Sequence, residues 1–124
     1  MTVQEKPIIS HIVDFLLSNG VLKIALVASA THKGLFESWK SNYHKETPLS
    51  SNISIFYESE PQGTFGYLRN LKDWINGESF ILTNGDCLVD FDIRKLEAFH
   101  DEHKVVATIA LLRSDAADAG KVVL

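Results

Sequence analysis

With 124 residues, of which 45% are hydrophobic, the chain can hold one domain with a modest core. Its formal charge of −4 is combined with scattered lysines and arginines, which argues against a nucleic-acid partner. The single Cys87 offers neither a disulfide framework nor a zinc spacing, and no apolar run reaches the ~20 residues that cross a bilayer. Since no signal-peptide pattern is present, we expect a cytoplasmic protein without a membrane partner.

Helical and extended patterns alternate along the chain. Apolar residues recur at helical spacing in four segments, "PIISHIVDFLLSNG" (7–20), "HKGLFESWKSNYHK" (32–45), "GTFGYLRNLKDWING" (63–77) and "DIRKLEAFHDEHK" (92–104). Short apolar runs that are typical of strands separate them: "KIALVAS" (23–29), "NISIFYES" (52–59), "SFILT" (79–83), "VVATIALLR" (105–113) and "VVL" (122–124). This alternation predicts an α/β fold, a mostly parallel sheet with helices on both faces in three layers.

The stretch "FILTNGDCLVDFDI" (80–93) contains a carboxylate directly after an expected buried strand. Ligands of parallel sheets bind beyond the carboxyl ends of the strands, which is where Asp86 would lie, with Gly85 making room. Mg²⁺ takes only one or two carboxylates when phosphate and water oxygens supply the remaining ligands. Asp86 is therefore a candidate magnesium ligand, and an aspartate in an Asn-Gly-Asp turn is the alternative. Asp92 is expected to be the N-cap of the last helix.

A second stretch, "YESEPQGTFGYL" (57–68), places an acidic, proline-containing loop between a strand and a helix. Gly63 and Thr64 open this helix, where a glycine allows a ligand to approach the backbone and the free amides can donate hydrogen bonds. The alternative is a plain turn at Pro61-Gln62-Gly63 with Thr64 as a helix cap.

Three segments resemble motifs of the sugar-1-phosphate nucleotidyltransferases, the pyrophosphorylases that make nucleotide sugars, in both sequence and order. They are "ESEPQGTFG", "FILTNGDCLVDFD" and "VVATIALLR". The opening "KPIISHIVDFLLSNGVLKIALVAS" is similar to the first helix and second strand of that family. The resemblance implies a Rossmann-like α/β domain. It also implies a reaction between a nucleoside triphosphate and a sugar 1-phosphate that releases pyrophosphate.

The resemblance also implies roles for individual residues. Asp86 would hold the catalytic Mg²⁺, and Gly120 matches a glycine that contacts the sugar, although Lys121 stands where the family usually has an apolar residue. The nucleotide would be bound by Glu58, Pro61, Gly63, Thr64, Asn84 and Gly85.

Glu58 bears on the choice of nucleobase, because it stands where the family places a base-reading side chain. A carboxylate only accepts hydrogen bonds, and guanine offers two adjacent donors, whereas uracil and thymine would suit glutamine better. The residue therefore favours a guanylyltransferase, such as one that acts on mannose 1-phosphate. A solvated loop charge is an equally open reading.

The chain departs from the family in two places. It contains neither the glycine-rich loop resembling "GGxGTR" nor the lysine in "PKP", and it stops before the "EKP"-type sugar contacts and a second metal-binding aspartate. We expect residues 1–124 to be a partial nucleotidyltransferase domain of a longer enzyme, with Met1 an internal methionine. Because phosphoryl transfer depends on positioning and charge stabilisation, the isolated chain should be inactive or weakly active.

The resemblance implies that the family's first strand, which lies centrally in the sheet, is missing from this chain. Its absence would leave unpaired sheet edges, so homo-oligomer formation or a completing chain is expected. The alternative function is a non-catalytic module or regulatory subunit that binds a nucleotide or nucleotide sugar.

Overall fold

A computed structural model describes residues 2–47, 52–63 and 65–111. The chain divides into two compact units, Met1–Asp90 and Phe91–Leu124. The expected strand at 122–124, the end of the expected strand 105–113 and the candidate site residues Thr64 and Gly120 lie outside the described residues.

The first unit begins with a small antiparallel hairpin, β1 (Thr2–Val3) and β2 (Lys6–Pro7). Its two central turn residues, Gln4 and Glu5, have φ of 49° and 65°, which is the left-handed backbone that tight two-residue hairpin turns require. Helix α1 (Ile8–Ser18) follows directly.

Helix α1 ends at the C-cap Asn19, and Gly20 just beyond it adopts a φ of 87°, the left-handed conformation that glycine commonly takes after a helix. Its inward side carries the buried residues Ile12, Val13 and Leu16. The helical spacing of these apolar positions is the reason that the segment folds as a helix with one face in the core.

A parallel pair of strands forms the sheet of this unit: β3 (Ile24–Ser29) and β4 (Ile53–Glu58). They pair in register from Ile24 opposite Ile53 to Ser29 opposite Glu58. A short 3₁₀ helix (Ala30–His32) and helix α2 (Lys33–Glu46) follow β3, so the predicted strand–helix–strand order is confirmed. The predicted α/β class and the parallel pairing are therefore confirmed too.

Polar contacts join the hairpin and the first two helices. The indole Nε1 of Trp39 donates to the Oγ of the buried Ser10 at 2.8 Å. Both Lys6 and Tyr43 donate to the carboxylate of Asp14. The apolar core of the first unit consists of Ile12, Val13, Leu16, Ile24, Ala28, Tyr43, Ile53 and Leu71.

The expected helix 63–77 is found as two shorter pieces, a 3₁₀ helix (Gly66–Leu71) and the four-residue α3 (Lys72–Ile75). Helix α3 ends at the left-handed Asn76. Lys23 donates to the Trp74 carbonyl at 2.7 Å, and its ammonium lies 4.3 Å from the centre of the indole ring. A cation at the carboxyl end of a helix satisfies carbonyls that have no partner inside the helix.

Two predicted strands are not formed by the described residues. Residues 79–83 and 105–111 have no regular structure, and Phe80, Ile81 and Leu82 are 52%, 41% and 42% exposed. A strand needs a neighbouring strand for its backbone hydrogen bonds. Within the described ranges the only strand pairs are β1–β2 and β3–β4. The two segments have strand-like composition, but no described strand lies beside them to accept their backbone hydrogen bonds.

The second unit contains α4 (Ile93–His103), close to its predicted range. The carboxylate of Asp92 accepts the Arg94 amide at 3.0 Å and caps the helix, as predicted. Lys104 ends it in the left-handed conformation. No helix within the described ranges is both long and apolar enough to span a membrane.

Candidate functional site

Glu58 is the last residue of β4 and lies opposite Ser29, the last residue of β3. Because the strands are parallel, both residues stand at the carboxyl edge of the sheet, which is where α/β sheets bind their ligands. The structure therefore places the candidate residue Glu58 at the carboxyl edge of the sheet.

The segment after Glu58 turns back on the strand end. The Gln62 amide donates to Oε2 of Glu58 at 3.2 Å, and the Gly66 amide donates to the Gly63 carbonyl at 3.3 Å. Gly63 has a φ of 76°, a conformation that strains side-chain-bearing residues, and apart from its chain neighbours no described residue comes within 4 Å of the position of a Cβ there. Pro61 is exposed in the same turn. The backbone at Gly63 is thus accessible beside the carboxylate of Glu58.

Two further contacts in this loop were not predicted from the sequence. The Tyr67 hydroxyl donates to the Tyr57 carbonyl at 3.2 Å. A Cβ on Gly66 would lie 2.6 Å from the Gln62 Cβ, so this close approach requires a glycine. A tyrosine in an amphipathic segment gives no sequence signal that its hydroxyl bonds a particular carbonyl. The glycine in "TFGY" was the one signal that could have indicated a close backbone contact.

Asp86 lies in a turn within the unpaired segment, and it does not follow a buried strand as predicted. Its side chain is exposed, and Oδ1 accepts a weak bond from the Cys87 thiol at 3.5 Å. Asn84 and Gly85 are exposed as well, and the Asn84 carbonyl accepts a long bond of 3.4 Å from the Thr83 hydroxyl. The carboxylate is therefore accessible, but no strand fixes its position.

Among the residues that the structure describes, the two halves of the predicted site make local hydrogen bonds, Glu58 with Gln62 and Asp86 with Cys87. Within the described ranges, no three histidine, cysteine, aspartate or glutamate side chains come together as a potential metal cluster. The roles of these residues in binding stay predictions.

The chain matches the protein-family model for nucleotidyl transferases over residues 1–121. It belongs to this family, as the resemblance of its loops predicted. No solved structure gives a significant match to the chain.

Named relatives are similar over most of this chain. Mannose-1-phosphate guanyltransferase beta-B of Xenopus laevis is 32% identical over 110 residues, which cover 87% of this chain and 30% of the relative. The mannose-1-phosphate guanyltransferase of Schizosaccharomyces pombe gives the same values. The D-glycero-alpha-D-manno-heptose 1-phosphate guanylyltransferase of Campylobacter jejuni is 28% identical over 77% of this chain and 40% of its own length. The chain thus spans about a third of the length of the curated relatives that it matches.

Proposed function

We propose that the chain is part of an enzyme that transfers a guanylyl group from GTP to a sugar 1-phosphate, making a nucleotide sugar and pyrophosphate. The observation that carries this proposal is the 32% identity to guanyltransferases over 87% of the chain. The position of Glu58 at the carboxyl edge of the sheet supports it, because nucleotides bind at such edges.

The geometry of Glu58 is compatible with reading guanine. Each carboxylate oxygen has two lone pairs, so Oε2 can keep its bond to the Gln62 amide while the carboxylate accepts the two donors of the base. The open backbone at Gly63 leaves space for the flat face of the base beside it.

Mg²⁺ fits the exposed carboxylate of Asp86, since this ion needs few protein ligands and draws the others from phosphate and water. Asp86 would hold it, with Asn84 and Gly85 beside it. When bound, the ion neutralises charge on the triphosphate. The residues of this chain bind and orient: Glu58 fixes the base, Gly63 and Pro61 shape the loop, and Asp86 faces the phosphates.

The surroundings of this reaction are part of the proposal. The negative net charge and the single free Cys87 are compatible with a cytoplasmic protein. The exposed apolar residues Phe80, Ile81 and Leu82 are compatible with a homo-oligomer or a completing chain.

Binding without turnover is the second candidate. The loop from Glu58 to Gly63 is held by its own contacts, and no hydrogen bond joins its described residues to Asp86. A loop that is formed independently of the carboxylate can bind a nucleotide in a regulatory module without catalysing its transfer.

Calorimetric titration of the chain with GTP, ATP and GDP-mannose tests the proposal. We expect GTP to bind more tightly than ATP, and Glu58→Gln to weaken GTP binding about tenfold or more, because a charge-assisted hydrogen bond is lost. Glu60→Gln, in the same exposed loop, removes the same charge and should have little effect. Equal effects of the two variants, or equal affinity for GTP and ATP, would contradict the proposed role of Glu58.

Magnesium and catalysis need separate measurements. Asp86→Asn should abolish the enhancement of GTP binding by Mg²⁺ and leave metal-free binding unchanged, whereas Asp90→Asn should alter neither. Release of pyrophosphate from GTP and mannose 1-phosphate would exclude the binding module. Because residues 1–124 lack the glycine-rich loop, we expect little release from this chain, and only a positive result separates the two candidates.

A further inference from the structure

Two tyrosine hydroxyls make hydrogen bonds at the end of β4. The Tyr67 hydroxyl donates to the Tyr57 carbonyl at 3.2 Å in a partly buried contact. The hydroxyl of Tyr57 itself donates to Oε1 of Glu37 in α2 at 2.8 Å. Because successive strand side chains point to opposite faces, the Tyr57 ring and the Glu58 carboxylate lie on opposite sides of the sheet.

The contact made by Tyr67 therefore acts on the peptide that carries Glu58. The Tyr57 carbonyl belongs to the peptide group whose nitrogen is that of Glu58, so a bond to this carbonyl limits the rotation of that peptide plane. The Glu58 carboxylate is held in turn at its far end by the Gln62 amide. The base-reading side chain is thus restrained at its backbone and at its tip.

The close packing of the loop depends on this arrangement. Tyr67 follows Gly66 directly, and Gly66 lies against Gln62 with no room for a Cβ. Holding Tyr67 on the strand therefore also holds Gly66 and Gln62 near Glu58. The bond between Gly66 and Gly63 adds a second restraint on the same loop.

We propose that Tyr67 is a positioning residue: by holding the Tyr57 carbonyl it fixes the Glu58 carboxylate and keeps the loop closed on it. The consequence of this role rests on the proposed function: Tyr67 increases the selectivity of the site for guanine. A carboxylate held in one place accepts both guanine donors without paying the entropy of ordering it on binding. A carboxylate that moves freely discriminates less.

Tyr67→Phe removes only the hydroxyl and keeps the ring, and Tyr57→Phe is its matched control. The control also removes one phenol hydroxyl, but its lost partner is Glu37 on the other side of the sheet. Amide hydrogen exchange followed by NMR gives a readout that does not need a nucleotide. We expect the Gln62 and Gly66 amides to exchange about fivefold to tenfold faster in Tyr67→Phe. The exchange rates of these two amides should be unchanged in Tyr57→Phe. In Tyr67→Phe, the exchange rates of the β3 and β4 amides should be unchanged.

Nucleotide binding gives the second readout. The affinity of Tyr67→Phe for GTP should fall about fivefold, and its affinity for ITP should fall less, because ITP keeps the ring N–H but lacks the exocyclic amine. In a Glu58→Gln background the same substitution should have no further effect, because the carboxylate that Tyr67 positions is absent.

The two readouts separate the two hypotheses. Unchanged exchange of the Gln62 amide in Tyr67→Phe overturns the positioning role, whatever the chain binds. Equal losses for GTP and ITP, or additive losses in the double variant, also overturn it and indicate a purely structural bond. Faster exchange in a chain that binds no GTP supports the positioning of Glu58 and refutes the proposed nucleotide specificity.

Discussion

Residues 2–58 and residues 78–90 belong to the same compact unit but differ sharply in burial. The first region contains nearly all of the core of this unit, including Val13 and Ile53, which are 0% and 2% exposed. In the second region every residue is exposed, although the run Phe80–Leu82 is as apolar as many core segments. The difference shows that apolar composition does not by itself bury a segment. A segment is buried when a partner element meets it.

The two regions also differ in the hydrogen bonds that their carboxylates accept. Burial raises the pKa of Asp14, but hydrogen bonds from Lys6 and Tyr43 outweigh this, so that its pKa lies below the ordinary value of 3.8. Burial, followed by the bond to Asp14, raises the pKa of Tyr43 to about 12. In the second region, Asp86 accepts a weak bond of 3.5 Å from the Cys87 thiol.

The largest expected effect is that of truncating isoleucine. Ile53→Ala removes a side chain that is 2% exposed and should lower the free energy of unfolding by roughly 2–4 kcal/mol, from lost burial and the cavity left behind. Ile81→Ala changes a residue that is 41% exposed and should cost less than about 1 kcal/mol. Urea unfolding followed by circular dichroism measures both. Equal losses would mean that residues 78–90 pack as tightly as the core.

Aspartate substitution is the next comparison. Asp14→Asn should cost roughly 1–2 kcal/mol at neutral pH, because Lys6 and Tyr43 lose a charged acceptor in a pair that is partly exposed to solvent. Asp90→Asn, in the exposed segment, should cost almost nothing.

The pH dependence follows from the sign of the Asp14 shift. A carboxyl with a lowered folded pKa contributes stability that is present above 3.8 and is lost as the pH falls through the lower folded value. The difference between wild type and Asp14→Asn should therefore be full near neutrality and shrink below about pH 4. A difference that stays constant down to pH 2 would contradict the ionic origin of this contribution.

The smallest effect is expected from the hydroxyls. Ser10→Ala leaves the Trp39 indole N–H without its acceptor and should cost about 1 kcal/mol, with a shift of the tryptophan emission. Thr83→Ala removes a hydroxyl with one long, exposed bond and should fall within about 0.5 kcal/mol of wild type. A larger loss at Thr83 than at Ser10 would reverse the contrast between the regions.

Several local features could be predicted from the sequence. The helices at 8–18, 33–46 and 93–103 follow from apolar spacing, and the position of Asp92 before the last helix predicts its role as the N-cap. The parallel pairing of the first two long strands followed from the helix between them. The sequence motifs of the loops also predict family membership, which the family match confirms.

The failures concern contacts between distant parts of the chain. The run at 79–83 has strand-like composition, but composition does not say whether a partner strand stands beside it. The bond from Tyr67 to the Tyr57 carbonyl joins residues ten positions apart and depends on the path of the loop between them.

The helices, the strand candidates and family membership follow from local sequence patterns. Helical hydrogen bonds and caps close within a few residues, and a motif is defined by the order of its residues along the chain. Which strand candidates pair, and how the Glu58 carboxylate is restrained, depends on the three-dimensional packing. Strand pairing and hydroxyl–carbonyl bonds need a second segment at a fixed place in space, and that place is set by the packing of the whole unit.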